Sequence, residues 1–348
     1  MSIHLLAPGP FDAISGGYIY DRRMVEGLRA LGETVEVVEL PGQHPAPDEA
    51  AEAGARAALQ ALPAGARIVI DGLGLPAFLP LAQELAARRA VALIHHPTAL
   101  EHGFPDAART VLKAKERALF AACARIVCTS PLTARRLPEE FAADPERIGV
   151  VEPGTERAPR AAGSGGPGCA ILSVGTLVPR KGHDVLLRAL ARLTDLEWTL
   201  TIVGDERRDP AHAHGLRALA EELGIAARVT FAGEVTGEAL EALYHRADLF
   251  ALATRWEGYG MAAAEAMARG LPLAITAGGA IAEVVVPGAA IVSPVDDVMS
   301  LSKGMRRPIF DADLRAEMAE ASWQGGQALP RWSDRAEAFR AELDKALA

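Results

Sequence analysis

TRWEGYGMAAAE, residues 254–265, decides the reading of this chain, because it joins a strand-like run to a helix through a turn rich in glycine and carboxylate. Upstream, LFALAT (249–254) reads as a buried strand; downstream, MAAAEAMARG (261–270) reads as a helix stopped by Gly270. The carboxyl ends of strands are where open α/β sheets bind ligands. Gly258 and Gly260 free backbone N–H groups at that place, and the positive end of the helix dipole adds to them, so the turn can receive a phosphate or a polar sugar. Glu257 falls in the turn, Glu265 falls two turns into the helix, and Tyr259 and Met261 lie between them.

Outward from this turn the chain alternates short β-rich runs with helical ones. HLLAP, VEVVEL, RIVIDG, AVALIHH, RIVCTS and IGVVEP make a first set, and AILSVG, WTLTIVG, RVTFAG, DLFALAT, LPLAIT and AAIVSP make a second. Helical spacing of Leu216, Leu219, Ala220 and Leu223 gives one of the intervening apolar faces. This pattern predicts an α/β protein of two doubly wound units. Between the sets, PGTERAPRAAGSGGPG (153–168) has the composition of a flexible connection. The expected organisation is a first domain over 1–155, a linker over 156–168, a second domain over 169–328 and a charged amphipathic C-terminal helix within 329–348. LSKGMRRPIF (301–310), with its glycine and proline, predicts an irregular stretch rather than a helix.

Composition narrows the function. With 348 residues the chain is long enough for two cores, and 50% hydrophobic with 23% charged residues is ordinary for a globular protein. A net charge of −9 and a pI near 5.6 argue against a nucleic-acid partner, which needs clustered Lys and Arg. Cys123, Cys128 and Cys169 are too few and too irregularly spaced for a disulfide framework or a zinc site, which fits a reducing compartment. No secretory leader and no membrane-spanning run is read, so a cytoplasmic place is expected.

The turn has a partner elsewhere in the sequence. VGTLVPRKGHD runs from a strand into a helix with Leu186, Leu190 and Leu193 on one face, so Arg180 and Lys181 occupy a strand-to-helix loop that begins at Gly175. Two cations beside a helix start can hold a diphosphate and stabilise the charge that grows on it when a bond to it breaks. The blander alternative is a solvated basic pair.

Taken together, VGTLVPRKG (174–182), FAGEV (231–235), YHRADLFALAT (244–254), two glutamates separated by seven residues around GYGM, and GGAIAEVV (278–285) resemble retaining glycosyltransferases of the GT-B fold, family 4. The resemblance implies two Rossmann-like domains with a cleft between them and transfer of a sugar from a nucleotide diphosphate sugar, UDP- or GDP-linked. It implies no metal and no cofactor: the acceptor attacks from the front face while the leaving phosphate takes its proton. It assigns Arg180 and Lys181 to the leaving diphosphate, Glu257 to hydroxyls of the donor sugar and Glu265 to the ribose hydroxyls. Thr254 and Val235 match positions lining the nucleotide site, and the C-terminal helix is implied to cross back onto the first domain.

In the first half the resemblance rests on less. HLLAP leads through a loop with Gly16 and Gly17 into a helix expected from Tyr18 to Leu31, and a glycine pair lets backbone approach a phosphate; a plain tight turn reads equally well. AVALIHH ends in His95 and His96; the resemblance places His95 beside the reacting sugar, although His96 is an alternative for the inward ring. Tyr18, His96, Glu101 and His102 are candidates for the acceptor, whose identity, whether saccharide, lipid or small molecule, is unwritten. A basic helix over 109–122 suggests peripheral contact with an anionic membrane, yet residues 1–150 carry no net basic character.

Rival readings are an oxidoreductase, an epimerase and a silent nucleotide-sugar binder. GLGLPA (72–77) fits a dinucleotide fingerprint, but it follows the third strand and lacks the acidic residue expected about 20 positions later. An epimerase of the same fold lacks the GYGM signature, and a silent binder keeps every donor residue without a reason to. Asp311 and Asp313 read as a helix start, not a metal site.

Overall fold

The computed structural model describes residues 2–100 and 105–347. Two compact units emerge, Met1–Gly154 with Pro330–Ala348, and Thr155–Leu329. In the first, β1 (Ile3–Pro8), β2 (Val35–Leu40), β3 (Arg67–Asp71), β4 (Val91–Ile94), β5 (Arg125–Cys128) and β6 (Ile148–Val150) form a parallel sheet in the order β2-β1-β3-β4-β5-β6. In the second, β7 (Cys169–Val174), β8 (Trp198–Val203), β9 (Val229–Gly233), β10 (Leu249–Leu252), β11 (Leu273–Thr276) and β12 (Ala290–Ser293) are ordered β12-β11-β10-β7-β8-β9. All twelve runs read from the sequence are strands. β4, β10 and β11 are buried along their whole length because helices cover both faces, which is why they read as unbroken apolar runs.

Each sheet carries a core on either face. In the first unit, Leu59, Phe78, Leu119, Phe120 and Phe141 cover one side. Tyr20, Met24 and Leu28 of the helix Gly16–Ala30, with Phe339 and Leu343 of the helix Trp332–Lys345, cover the other. Burying each such side chain contributes about 1.5–3 kcal/mol. The two helices approach closely at Gly27, where a Cβ would stand 2.5 Å from that of Ala336. Gly72 and Gly74, the glycines of the dinucleotide-like stretch, serve packing as well: a Cβ on Gly74 would lie 2.8 Å from Leu40 Cδ1, and a 3₁₀ helix, Leu75–Leu81, follows.

Three local expectations need correction. LSKGMRRPIF lies in a continuous helix, Val298–Phe310. Gly304 lets that helix press on β12, since a Cβ there would come 2.6 Å from Ile291 Cγ2, and Pro308 sits in the last turn, where Arg315 donates to the carbonyl of Pro308 at 2.6 Å. The Gly/Pro-rich stretch near 156–168 has little regular structure, but it is tied to the second unit: Ala161 N–H donates to Arg269 O, Ala162 N–H to His245 O and Ser164 N–H to Asp248 Oδ1. The first-unit helix starts at Gly16, so the glycine pair forms its first turn instead of a preceding loop. Asp311 Oδ1 accepts from Leu314 N–H at the start of the helix Ala312–Gln327. No helix among the described residues is long and apolar enough to cross a membrane.

Candidate functional site

The sheet orders locate the candidate sites before any side chain does. In the second unit, β10 and β8 flank β7 on opposite sides, so the chain reverses its winding beside β7 and opens a crevice at the carboxyl ends of β7 and β10. In the first unit the equivalent place is between β1 and β3.

After β7 the chain passes Gly175, a 3₁₀ turn Pro179–Lys181 and Gly182 before the helix His183–Leu190. Gly182 has φ +65°, and a Cβ there would strike the Ala253 carbonyl oxygen at 1.9 Å, so the turn seats directly on the end of β10. The buried His183 ring lies 3.1 Å from the Gly175 carbonyl, to which its Nε2–H donates. Burial pushes the His183 pKa down to about 4, so the ring is neutral.

After β10, Thr254 and Glu257 turn back toward the same place. Lys181 Nζ donates to Glu257 Oε1 at 2.5 Å, Arg180 Nη1 lies 3.8 Å from the same oxygen and donates to Trp256 O at 2.7 Å, and Thr254 Oγ1 is 3.2 Å from Glu257 Oε1. Side chains of Lys181 and Glu257 are 14% and 10% exposed, Arg180 35%. Burial works against the Glu257 carboxylate, but the charges of Lys181 and Arg180 outweigh it and hold its pKa below the ordinary value. Burial depresses the Lys181 ammonium against the attraction of Glu257. Two cations on one carboxylate leave an excess of positive charge in a partly buried place.

The glutamate turn is rigidly held. Glu257 N–H donates to Gly278 O and Ala280 N–H to Glu257 O, each at 2.9 Å. Gly278 and Gly279 permit that approach, since a Cβ on Gly279 would meet Glu257 O at 2.2 Å. Arg255 forks onto Asp184 at 2.8 and 3.0 Å and reaches Asp296 at 2.8 Å, binding the turn to the helix His183–Leu190. Gly260, with φ +111°, starts the helix Met261–Ala268, and its carbonyl accepts from Ala263 N–H at 3.0 Å and from Ala264 N–H at 3.1 Å.

Glu265, in the second turn of this helix, is half-buried and accepts from Tyr244 O–H at 3.1 Å; Arg269 stacks 4.4 Å from the Tyr244 ring centroid. Val235 follows β9 and packs, partly buried, on the apolar cluster around Tyr244. Tyr259 is buried, while Gly258 and Met261 are half-buried. The second unit thus brings Gly175, Arg180, Lys181, Thr254 and Glu257 into one cluster, with Glu265 on the helix that follows.

In the first unit His95 follows β4, and its Nε2 lies 2.9 Å from Asp21 Oδ1 and 3.3 Å from Asp71 Oδ2. Burial works against a charged ring, but the two carboxylates outweigh it and raise its pKa to about 10. Asp21 is pushed up to about 6, by burial first and by Asp71 in addition, against the attraction of His95. Gly17 admits the ring: a Cβ there would lie 3.2 Å from His95 Cδ2. Gly16 opens the same helix. Tyr18 O–H donates to Pro8 O at 2.9 Å, and His96 is half-buried. Glu101 and His102 lie outside the described residues. Among the described residues, Asp21, Asp71 and His95 are the side chains whose coordinating atoms gather closely enough to surround a cation, and in this arrangement Nε2 is already engaged by the carboxylates.

Sequence reasoning missed Asp21, Asp71, Arg255, Asp184 and Tyr244. Asp71 had a usable signal, a carboxylate at the carboxyl end of an apolar strand followed by Gly72; Asp21, inside a helix, had none.

Two parallel six-stranded sheets, each with its polar cluster at a topological reversal, define the GT-B class of α/β architecture. Sucrose-phosphate synthase from Thermosynechococcus elongatus shares it with a TM-score of 0.82 at 20% identity over 98% of both chains. An Anabaena protein, HepE, solved with UDP-glucose, aligns with a TM-score of 0.75 at 16% identity over 99% of this chain and 100% of that one. Residues 156–324 match the family model described as glycosyl transferases group 1. The chain is also similar to D-inositol 3-phosphate glycosyltransferase from Mycobacterium sp. (strain KMS), 37% identical over 167 residues, 45% of this chain and 38% of the relative. The chain spans roughly half or less of the length of the curated relatives it matches.

Proposed function

We propose that this protein is a retaining glycosyltransferase that moves a sugar from a nucleoside diphosphate sugar to an acceptor hydroxyl without a metal ion. The observation that carries the reading is the Arg180–Lys181–Glu257 cluster at the β7–β10 crevice, two cations on one buried carboxylate beside a helix start. As the sugar–phosphate bond breaks, negative charge grows on the leaving diphosphate. Arg180 and Lys181 stabilise that charge in a place already shielded from water, where such stabilisation is strongest. Glu257 keeps Lys181 in position and offers its second oxygen to donor-sugar hydroxyls. Glu265, oriented by Tyr244, accepts from the ribose hydroxyls. Thr254 and Gly175 shape the crevice floor. On the first unit, His95 and the Gly16–Gly17 turn are that unit's own candidates for binding sugar hydroxyls.

Retention follows if the acceptor attacks the face that the phosphate leaves, passing its proton to a phosphate oxygen. No protein base is required. The similarity to a UDP-glucose-bound protein makes UDP-glucose the first donor to test, and the similarity to D-inositol 3-phosphate glycosyltransferase makes that phosphate the first acceptor. Peripheral membrane contact belongs to this reading only if the acceptor is a lipid; on the helix Asp106–Ala122, Lys113 is already paired with Glu140 at 2.6 Å.

The test is a matrix of UDP, GDP, ADP and dTDP sugars against phosphorylated and free polyols, with the anomeric configuration of the product read by NMR and activity repeated after chelation. A product of retained configuration, formed equally after chelation, is expected. An inverted product, or NAD-dependent chemistry on any substrate, would refute the reading.

A further inference from the structure

We propose that Asp21 and Asp71 are positioning residues that hold His95 as an imidazolium, so that its Nδ1–H acts as a charged hydrogen-bond donor to a ligand oxygen and not as a base. The geometry starts from which edge of the ring is occupied. Nε2 lies within reach of both carboxylates, and the neighbouring Cδ2 faces Gly17. That whole edge is turned into the helix Gly16–Ala30 and the end of β3. Nδ1, across the ring, has no hydrogen-bond partner among the described residues, while the side chain keeps 23% of its surface exposed. The nitrogen left for a ligand is therefore Nδ1.

Charge follows from burial. Asp21 is fully buried and Asp71 nearly so, and Asp21 Oδ2 has no hydrogen-bond partner among the described residues. Two carboxylates buried this close either share a proton or are balanced by a cation. His95 is the group placed to supply it: the other charged side chain bearing on Asp21 is Arg22, whose Nη1 is spent on the carbonyls of Phe11 and Ala13, and Tyr20 meets the His95 ring edge-on at 5.2 Å. The carboxylates raise the His95 pKa to about 10, which agrees with the geometry. An imidazolium has two N–H donors and no acceptor. It can polarise or orient a sugar or phosphate oxygen, but it cannot take the acceptor's proton.

The nature of the ligand rests on the glycosyltransferase reading; the state of the ring does not, and the experiment separates them. Full-length protein labelled with ¹⁵N-histidine is followed by NMR from pH 6 to 8.5 without substrate, and His95→Gln identifies the resonance. The expected result is a doubly protonated ring across that range, with the midpoint falling by about 1–3 units in Asp71→Asn or Asp21→Asn. The wild-type measurement stands even if a variant fails to fold. In parallel, kcat/KM of the wild type should show no limb from this ring between pH 6 and 8.5, and Asp71→Asn should move its limb down toward that range. A wild-type ring that is neutral at pH 7.5 would overturn the proposal. So would a stoichiometric divalent metal in the purified protein that disappears in Asp21→Asn, because the ring nitrogen would then be a ligand.

Discussion

The two units solve the same topological problem with opposite charge. Both place a polar cluster where a parallel sheet reverses its winding, yet the first surrounds one histidine with two carboxylates, and the second surrounds one carboxylate with two cations. The difference teaches what kind of ligand group each can accept. A diphosphate is attracted by the positive excess around Glu257 and repelled by the negative excess around His95, whereas neutral sugar hydroxyls suit donors and acceptors of either kind. Their histidines differ in the same sense: His183 is buried neutral beside a carbonyl, His95 is charged between acids.

Removing one partner of the buried pair is the strongest way to break this contrast. Lys181→Ala or Glu257→Ala leaves the other charge buried alone, which should cost about 3–5 kcal/mol of stability in addition to abolishing transfer. Equilibrium urea unfolding measures it, and Lys181→Met combined with Glu257→Leu should be less destabilised than either alanine variant. Additive losses in the double variant would mean the pair is not a unit.

Next in size is a pH effect of opposite sign in the two units. The folded-state pKa of His183, about 4, lies below its usual 6.5, so between those values the unfolded chain binds the extra proton. Stability from His183 is therefore full above about pH 6.5 and falls by about 3 kcal/mol as pH drops toward 4. His95, raised to about 10, contributes stability that is full below about 6.5 and is lost as pH rises through 10. Hydrogen exchange followed peptide by peptide should find the second unit opening first in acid and the first unit opening first in alkali. The same unit leading at both extremes would break the comparison.

Arg180→Ala isolates function from folding, because Arg180 is about a third exposed. It should lower kcat by roughly 10²-fold, the usual size for a lost charge-stabilising donor, with an unchanged melting temperature. Smallest is Tyr244→Phe, which removes the O–H that orients Glu265 and should weaken donor binding by about 0.5–1.5 kcal/mol without touching the phosphate cluster.

What the sequence made legible follows from range. Strands buried on both faces, such as β1, β4, β10 and β11, write themselves as apolar runs and could be read locally. Gly175, Arg180, Lys181 and Glu257 could be singled out because each lies in a strand-to-helix turn whose spacing carries meaning by itself. Asp21, in a helix interior, could not, and although Asp71 carried a local signal at its strand end, no local pattern reports that the two meet at a ring at position 95. Gly304 and Pro308 misled for the reverse reason: both disfavour a helix by propensity, but packing of Gly304 on Ile291 and the guanidinium of Arg315 on the last carbonyls sustain it. Gly16 and Gly17, read as a phosphate loop or a tight turn, form a helix turn, and Gly17 makes room for the His95 ring.

The central claim is that the Thr155–Leu329 unit takes a nucleoside diphosphate through Arg180 and Lys181. Titration calorimetry of UDP, GDP, ADP and dTDP into the full chain, wild type and Arg180→Ala, tests it most directly. The account predicts saturable one-to-one binding of one of these nucleotides, weakened about tenfold or more, about 1.4 kcal/mol, by Arg180→Ala; binding of none of them, or equal binding by both proteins, would contradict it.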